Sequence, residues 1–179
     1  MQPSTVVGLI GLVLLATGCA ARPGVDVPFL VTPPEVVDQM LALARVGPGD
    51  VVYDLGSGDG RLVIAAAREF QARGVGIEID PKLVAQSRER ARRAGVEPRV
   101  TFLEQDLFEA NLSAATVVTL YLTREVNLRL RPKLERELAP GTRVVSFDFD
   151  MGDWEPASML RVDINGRTSP VYLWVVNPR

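Results

Sequence analysis

The chain has 179 residues, with 20 Lys and Arg against 22 Asp and Glu and a formal net charge of −2. That length suits one domain with a sizeable core, and the balance of charge offers no strong nucleic-acid signature, because no broad basic surface is available to phosphates. Histidine is absent and Cys19 is the single cysteine. An imidazole base, a histidine-ligated metal, an intrachain disulfide and a cysteine-cluster metal site are therefore excluded.

In chain order, Val6 to Thr17 is an apolar run too short to span a bilayer, which takes about 20 residues. It leads into Ala16-Thr17-Gly18-Cys19, which resembles a bacterial lipoprotein signal. Cleavage before Cys19 would leave that residue to carry a lipid and anchor the chain at the cell envelope. The n-region lacks Lys and Arg, and the alternative is an upstream start codon on a cytoplasmic protein. Residues 1–24 are placed outside the fold, and residues 25–179 form the domain. Thr32-Pro33-Pro34-Glu35 predicts a helix start, with Thr32 as N-cap and Glu35 completing a capping box. Val36, Val37, Met40, Leu41 and Ala44 follow at helical spacing, and Gly47-Pro48-Gly49 ends the helix.

Val51 to Leu55 is β-branched and apolar around Asp54, then Gly56-Ser57-Gly58-Asp59-Gly60 precedes a helical pattern from Arg61 to Gln71. Strand, glycine turn and helix in that order make a nucleotide-binding corner of an open α/β sheet. The spacing is G-x-G-x-G, not the dinucleotide G-x-G-x-x-G. Asp54 at the strand tip would repel a pyrophosphate but suit the ammonium of an amino-acid moiety.

Residues 74–80 predict a second strand, with Glu78 at its end and Asp80 as N-cap of a helix over 82–94. The basic residues of that helix are read as a solvated face. A third strand is expected over 99–103 and a buried central strand over 115–122. Val126, Leu130, Leu134 and Leu138 predict a helix broken or kinked at Pro132. A fifth strand spans 142–147. After the acidic, aromatic loop 148–154, residues 159–164 and 171–176 predict an antiparallel hairpin with a somewhat long loop around Asn165-Gly166.

Asp54-Leu55-Gly56-Ser57-Gly58-Asp59-Gly60 resembles motif I of the class I, seven-strand S-adenosylmethionine-dependent methyltransferases, and the resemblance runs from about Pro28 to Val176. It implies an α/β, Rossmann-like methyltransferase sheet, mostly parallel with a C-terminal antiparallel hairpin, and helices on both faces. It implies S-adenosyl-L-methionine as cofactor, with Asp54, Gly56, Ser57 and Gly58 lining its site. Glu78 would take the ribose hydroxyls, Ile79 would pack on adenine, and Asp106 and Leu107 would read and stack against its edge. Phe29 and Thr32 belong to the segment leading into the helix over the pocket.

The strand end Leu120-Tyr121-Leu122-Thr123 falls where motif IV stands and lacks the Asn-Pro-Pro-Tyr type of tetrapeptide of amino-group nucleic-acid methyltransferases. Residues 116–122, 127–134 and 140–146 are similar to the small protein-lysine methyltransferases of mitochondrial membrane proteins and their prokaryotic relatives. That similarity implies a lysine side chain of a protein as acceptor, with Tyr121, Asp148 and Asp150 as catalytic candidates and Trp154 nearby. The alternatives are a small-molecule or RNA methyltransferase and, in another class, a non-catalytic Rossmann-like envelope lipoprotein.

Overall fold

A computed structural model of the chain describes residues 31–178; the signal-like segment, Cys19 and Phe29 lie outside the described residues. The elements are α1 (Pro34–Leu43), β1 (Val51–Leu55), α2 (Arg61–Glu69), β2 (Arg73–Glu78), α3 (Pro81–Arg93), β3 (Val100–Glu104), β4 (Val117–Leu120), α4 (Arg124–Glu137), β5 (Arg143–Phe147), β6 (Ser158–Ile164) and β7 (Arg167–Val175). The seven strands form one sheet in the order β3-β2-β1-β4-β5-β7-β6. The first five are mutually parallel, and β7 runs antiparallel to both β5 and β6. Chain order reverses between β1 and β4, so a crevice opens beyond the C-terminal ends of those two strands.

Alternation along the strands builds two cores. Val52, Val117, Val145 and Phe147 face α1 and α2, with Val36, Met40, Leu41 and Ala66 completing that layer. Leu55, Val118, Leu120 and Val144 face the other side, against Val126, Leu130 and Leu134 of α4. All four residues of β4 are buried, as its apolar sequence predicts for a central parallel strand. Asp54, Thr119 and Tyr121 share the face covered by α1, because each lies an even number of residues from Val52 or Val117.

Three local expectations are corrected. Thr32 does not cap α1: Pro33 is the N-cap, Pro34 opens the helix, and no side chain bonds the first turn. Proline at the first helical position has no N–H to satisfy, and Thr32 stands one residue too far upstream. The helix α4 runs unbroken through Pro132. Burial of Val126, Leu130 and Leu134 on both sides of it outweighs the missing donor, a loss of about 3 kcal/mol. The hairpin is longer and its loop shorter than expected: Asn165 (φ 54°) and Gly166 (φ 81°) alone join β6 to β7, the two left-handed residues of a tight turn that matches strand twist.

The glycine loop is shaped by close approach as well as by backbone angle. Gly60 has φ 76°, and a Cβ there would lie 2.6 Å from the Phe102 ring. Gly60→Ala therefore combines left-handed strain with overpacking and is expected to cost about 2–4 kcal/mol. Urea unfolding of the two proteins measures it.

Candidate active site

The crevice is built from β-strand ends. Gly56 and Ser57 both donate their N–H to the Ile77 carbonyl at 2.9 Å. Gly58 donates to Glu78 Oε2 at 2.9 Å, while Glu78 Oε1 accepts from Ile79 (2.8 Å) and Asp80 (2.9 Å). One carboxylate thus ties the glycine loop to the end of β2. Asp80 caps α3 by accepting from Lys82 at 2.8 Å.

Asp54 is 6% exposed and accepts from Thr119 Oγ1 at 2.8 Å. The register makes this contact: Asp54 stands opposite Thr119 on β4 and Gly76 on β2. Burial pushes the Asp54 carboxyl up to about 7 against the Thr119 hydrogen bond, and the charges of Glu78 and Asp59 add to the rise. Among the described residues no cation pairs with it. Ser57 Oγ is buried and has no partner among the described residues. It points at β2, where a Cβ on Gly76 would come within 2.7 Å of it.

At the β2 and β3 ends, Ile79 is 40% exposed, a large apolar side chain open to solvent. Gln105 donates its N–H to the Glu78 carbonyl, which draws the loop after β3 towards it. In that loop Asp106 Oδ1 accepts from Phe108 at 2.8 Å, and Leu107 leans on the α4-side core. Glu78, Ile79, Asp106 and Leu107 are thereby gathered along one edge of the sheet.

The β4 and β5 ends gather the other group. Tyr121 packs on Phe147, with ring centroids 4.7 Å apart. Its phenol is pushed above its ordinary range, by burial first and then by the charge of Asp148, with Arg167 opposing. Asp148 follows β5 directly, in left-handed backbone (φ 69°), and its Oδ2 accepts from Arg167 Nη2 at 2.8 Å. Asp150 turns elsewhere. Its carboxylate accepts from Arg124 Nε at 3.2 Å and from the Gly152 N–H at 2.8 Å, closing a turn against the start of α4. Trp154 is seated against Trp174, centroids 5.9 Å apart, and its carbonyl accepts from Trp174 Nε1 at 2.6 Å. It anchors the loop.

Sequence reasoning gave no role to Asp59 and left Arg90 on a solvated face. Arg61 binds Asp59 through two nitrogens (2.9 and 2.6 Å) and donates Nη1 to the Thr32 carbonyl at 2.8 Å, while Arg90 also pairs with Asp59. These cations hold the Asp59 carboxyl below its usual range despite burial. The cluster bolts α3, the glycine loop and the entry to α1 together. A signal was present: Arg61 opens a helix, where the dipole disfavours a cation unless an anion is beside it.

Asp54 makes stability pH-dependent in a particular direction. Its folded-state value of about 7 exceeds the ordinary 3.8, so between these the folded chain holds the extra proton. Its contribution falls as pH rises through that window and levels off above it. Asp54→Asn removes this slope. Calorimetric melting at about pH 5 and about pH 8 should show wild type losing more ground than the variant at the higher pH.

Comparison with known proteins accords with this arrangement. A protein-lysine N-methyltransferase of Saccharolobus islandicus is 42% identical over 151 residues, covering 84% of this chain and 94% of its own. The adenine nucleotide translocase lysine N-methyltransferase of Mus musculus is 37% identical over 135 residues, covering 75% of this chain but 58% of its own. A crystal structure described as an RNA methyltransferase from Salinibacter ruber, in complex with S-adenosyl-L-homocysteine, superposes with a TM-score of 0.79 at 57% identity, covering 84% of this chain and 95% of that one. The fold and site thus define a class I methyltransferase that uses S-adenosyl-L-methionine. Residues 54–158 match the ANTKMT methyltransferase domain, and the chain belongs to that family.

Proposed function

We propose that the chain methylates lysine side chains of a protein. The observation that carries this reading is the pairing of two unlike half-sites across the β1–β4 crevice. One holds a buried carboxylate with no described cation; the other holds Tyr121 and Asp148, a half-buried ring beside an acid. The lysine-modifying relatives support it from outside.

When bound, the cofactor supplies a methyl group already activated on a sulfonium. Asp54 would hold its ammonium, which suits a carboxylate that burial has left without a counter-charge. The N–H groups of the first turn of α2 would face its polar atoms. Ile79 offers an apolar surface for a base, and Asp106 Oδ2 an acceptor at that base's edge. Glu78 has about four acceptor sites, of which three backbone N–H groups take three. One ribose hydroxyl fits directly, and a second must share an oxygen.

With the methyl so activated, positioning is the main demand on the protein. The acceptor ammonium must first become a neutral amine. Tyr121 stays protonated at neutral pH and presents its ring to a cation. Asp148 draws the ammonium in, and the proton leaves to water along the open side of the loop.

Titration calorimetry of S-adenosyl-L-methionine into the full chain tests the cofactor half. Glu78→Ala should weaken binding by roughly tenfold or more, the size of one or two hydrogen bonds to a charged acceptor. Intact wild-type affinity in that variant would remove Glu78 from the site.

A second reading, RNA as acceptor, is favoured by the description of the Salinibacter ruber structure. The balanced charge and the acids after β5 speak for protein. Radiolabelled methyl transfer into a whole-cell extract separates the two: protease-sensitive label recovered as methyllysine supports lysine, and nuclease-sensitive label supports RNA.

For the N-terminal segment we propose lipidation at Cys19, which would hold the domain at a membrane face. Labelled palmitate should enter wild type and not Cys19→Ala.

A further inference from the structure

Three aspartates follow β5, and each has an arginine. The exposures of the pairs differ. In Arg131–Asp153 the acid side chain is 92% exposed and the cation 24%; in Arg124–Asp150 they are 41% and 56%. Asp148 reverses the first pattern: its side chain is 13% exposed, while that of Arg167 is 74% exposed. A largely walled carboxylate is paired with a mostly exposed cation.

Asp148 is also fixed through its backbone. Its N–H donates to the Pro170 carbonyl at 2.9 Å, and it extends β5 directly beside the end of β4. Arg167 touches it through one nitrogen, Nη2, without the two-point fork that makes arginine–carboxylate pairs tenacious. Arg167 stands just after the two-residue turn and carries a long, rotamer-rich side chain. Displacing it into solvent costs little, whereas leaving Asp148 walled and unpaired costs the desolvation of a charge. Another cation has to replace it.

We propose that Arg167 is a specificity-determining residue of the methyl-transfer site: it occupies the place on Asp148 that the acceptor ammonium takes, and the two cations exchange when the acceptor docks. The proposal rests on the lysine reading above. Tyr121 lies within the electrostatic reach of both Asp148 and Arg167, so the exchange happens beside the ring expected to receive the ammonium. An acceptor without a cation cannot replace Arg167 and is turned away. A lysine side chain brings its own charge, so Asp148 keeps a cation while the acceptor docks.

The test uses the full chain, labelled S-adenosyl-L-methionine and the protein fraction of a whole-cell extract, with methyllysine as the product counted. Arg167→Gln should lower the extract concentration for half-maximal rate by about threefold to tenfold, the size of one partly exposed charge contact, with the effect in apparent KM and not in kcat. Arg167→Lys should restore the wild-type value. In an Asp148→Asn background the effect of Arg167→Gln should vanish, because the pair acts as a unit. Calorimetric cofactor affinity reports on folding in every variant. An unchanged or raised apparent KM in Arg167→Gln, or the same decrease without Asp148, overturns the exchange while leaving lysine as acceptor. Wild-type label found on RNA or on another amino acid sinks the lysine reading, and the exchange with it.

Discussion

The glycine loop holds its shape because the carboxylate of Glu78 binds it from the neighbouring strand. Oε2 takes the Gly58 N–H, and Oε1 takes the two N–H groups that lead into α3. Without that acceptor three backbone donors at the sheet edge would compete for water, and the loop would keep only the Gly56 and Ser57 bonds to the Ile77 carbonyl as its tie to β2. Arg61, at the start of α2, then bridges to the Thr32 carbonyl at the entry to α1. An acid at a strand end is thus a structural clasp within the chain itself.

The two sides of the crevice handle charge differently. Asp54 is buried beside Thr119, and its ionisation is resisted until a cation joins it. Asp148 is only partly buried and already has a cation from the hairpin. One side waits for charge and the other holds it in reserve. On the proposed reading the cationic cofactor meets the first of these acids and the cationic acceptor the second. Neutrality in the resting chain also limits the cost of keeping those acids dry.

Much of the fold was legible, because its signals are local. The strand–glycine–helix succession, the Asp80 cap and the apolar run of β4 are each decided by neighbouring residues, and each stands where it was expected. The misreadings came where distant contacts override a local rule. Pro132 reads as a helix breaker, yet core contacts on both sides carry α4 through it. Thr32 reads as a cap, yet two prolines after it leave the helix start little to cap, and its carbonyl serves Arg61 instead. The Asn165-Gly166 turn was visible, but the strands extend to meet it because β6 and β7 pair in unbroken register from Ser158 opposite Leu173 to Ile164 opposite Arg167.

By itself the sequence determined the class of fold, the glycine corner, the acids at the strand tips and the cationic nature of the ligand that Asp54 suits. These follow from backbone freedom at glycine, from two-residue and 3.6-residue periodicity, and from the sign of a charge, all of which are written in short stretches of chain. Only the tertiary structure decided which of those acids stand alone and which are answered. Asp59, Asp148, Asp150 and Asp153 take partners from residues 2 to 31 positions away, while Asp54 meets only a hydroxyl. Pairing at such separations depends on the order and register of strands, and so does the burial that gives each pair its strength.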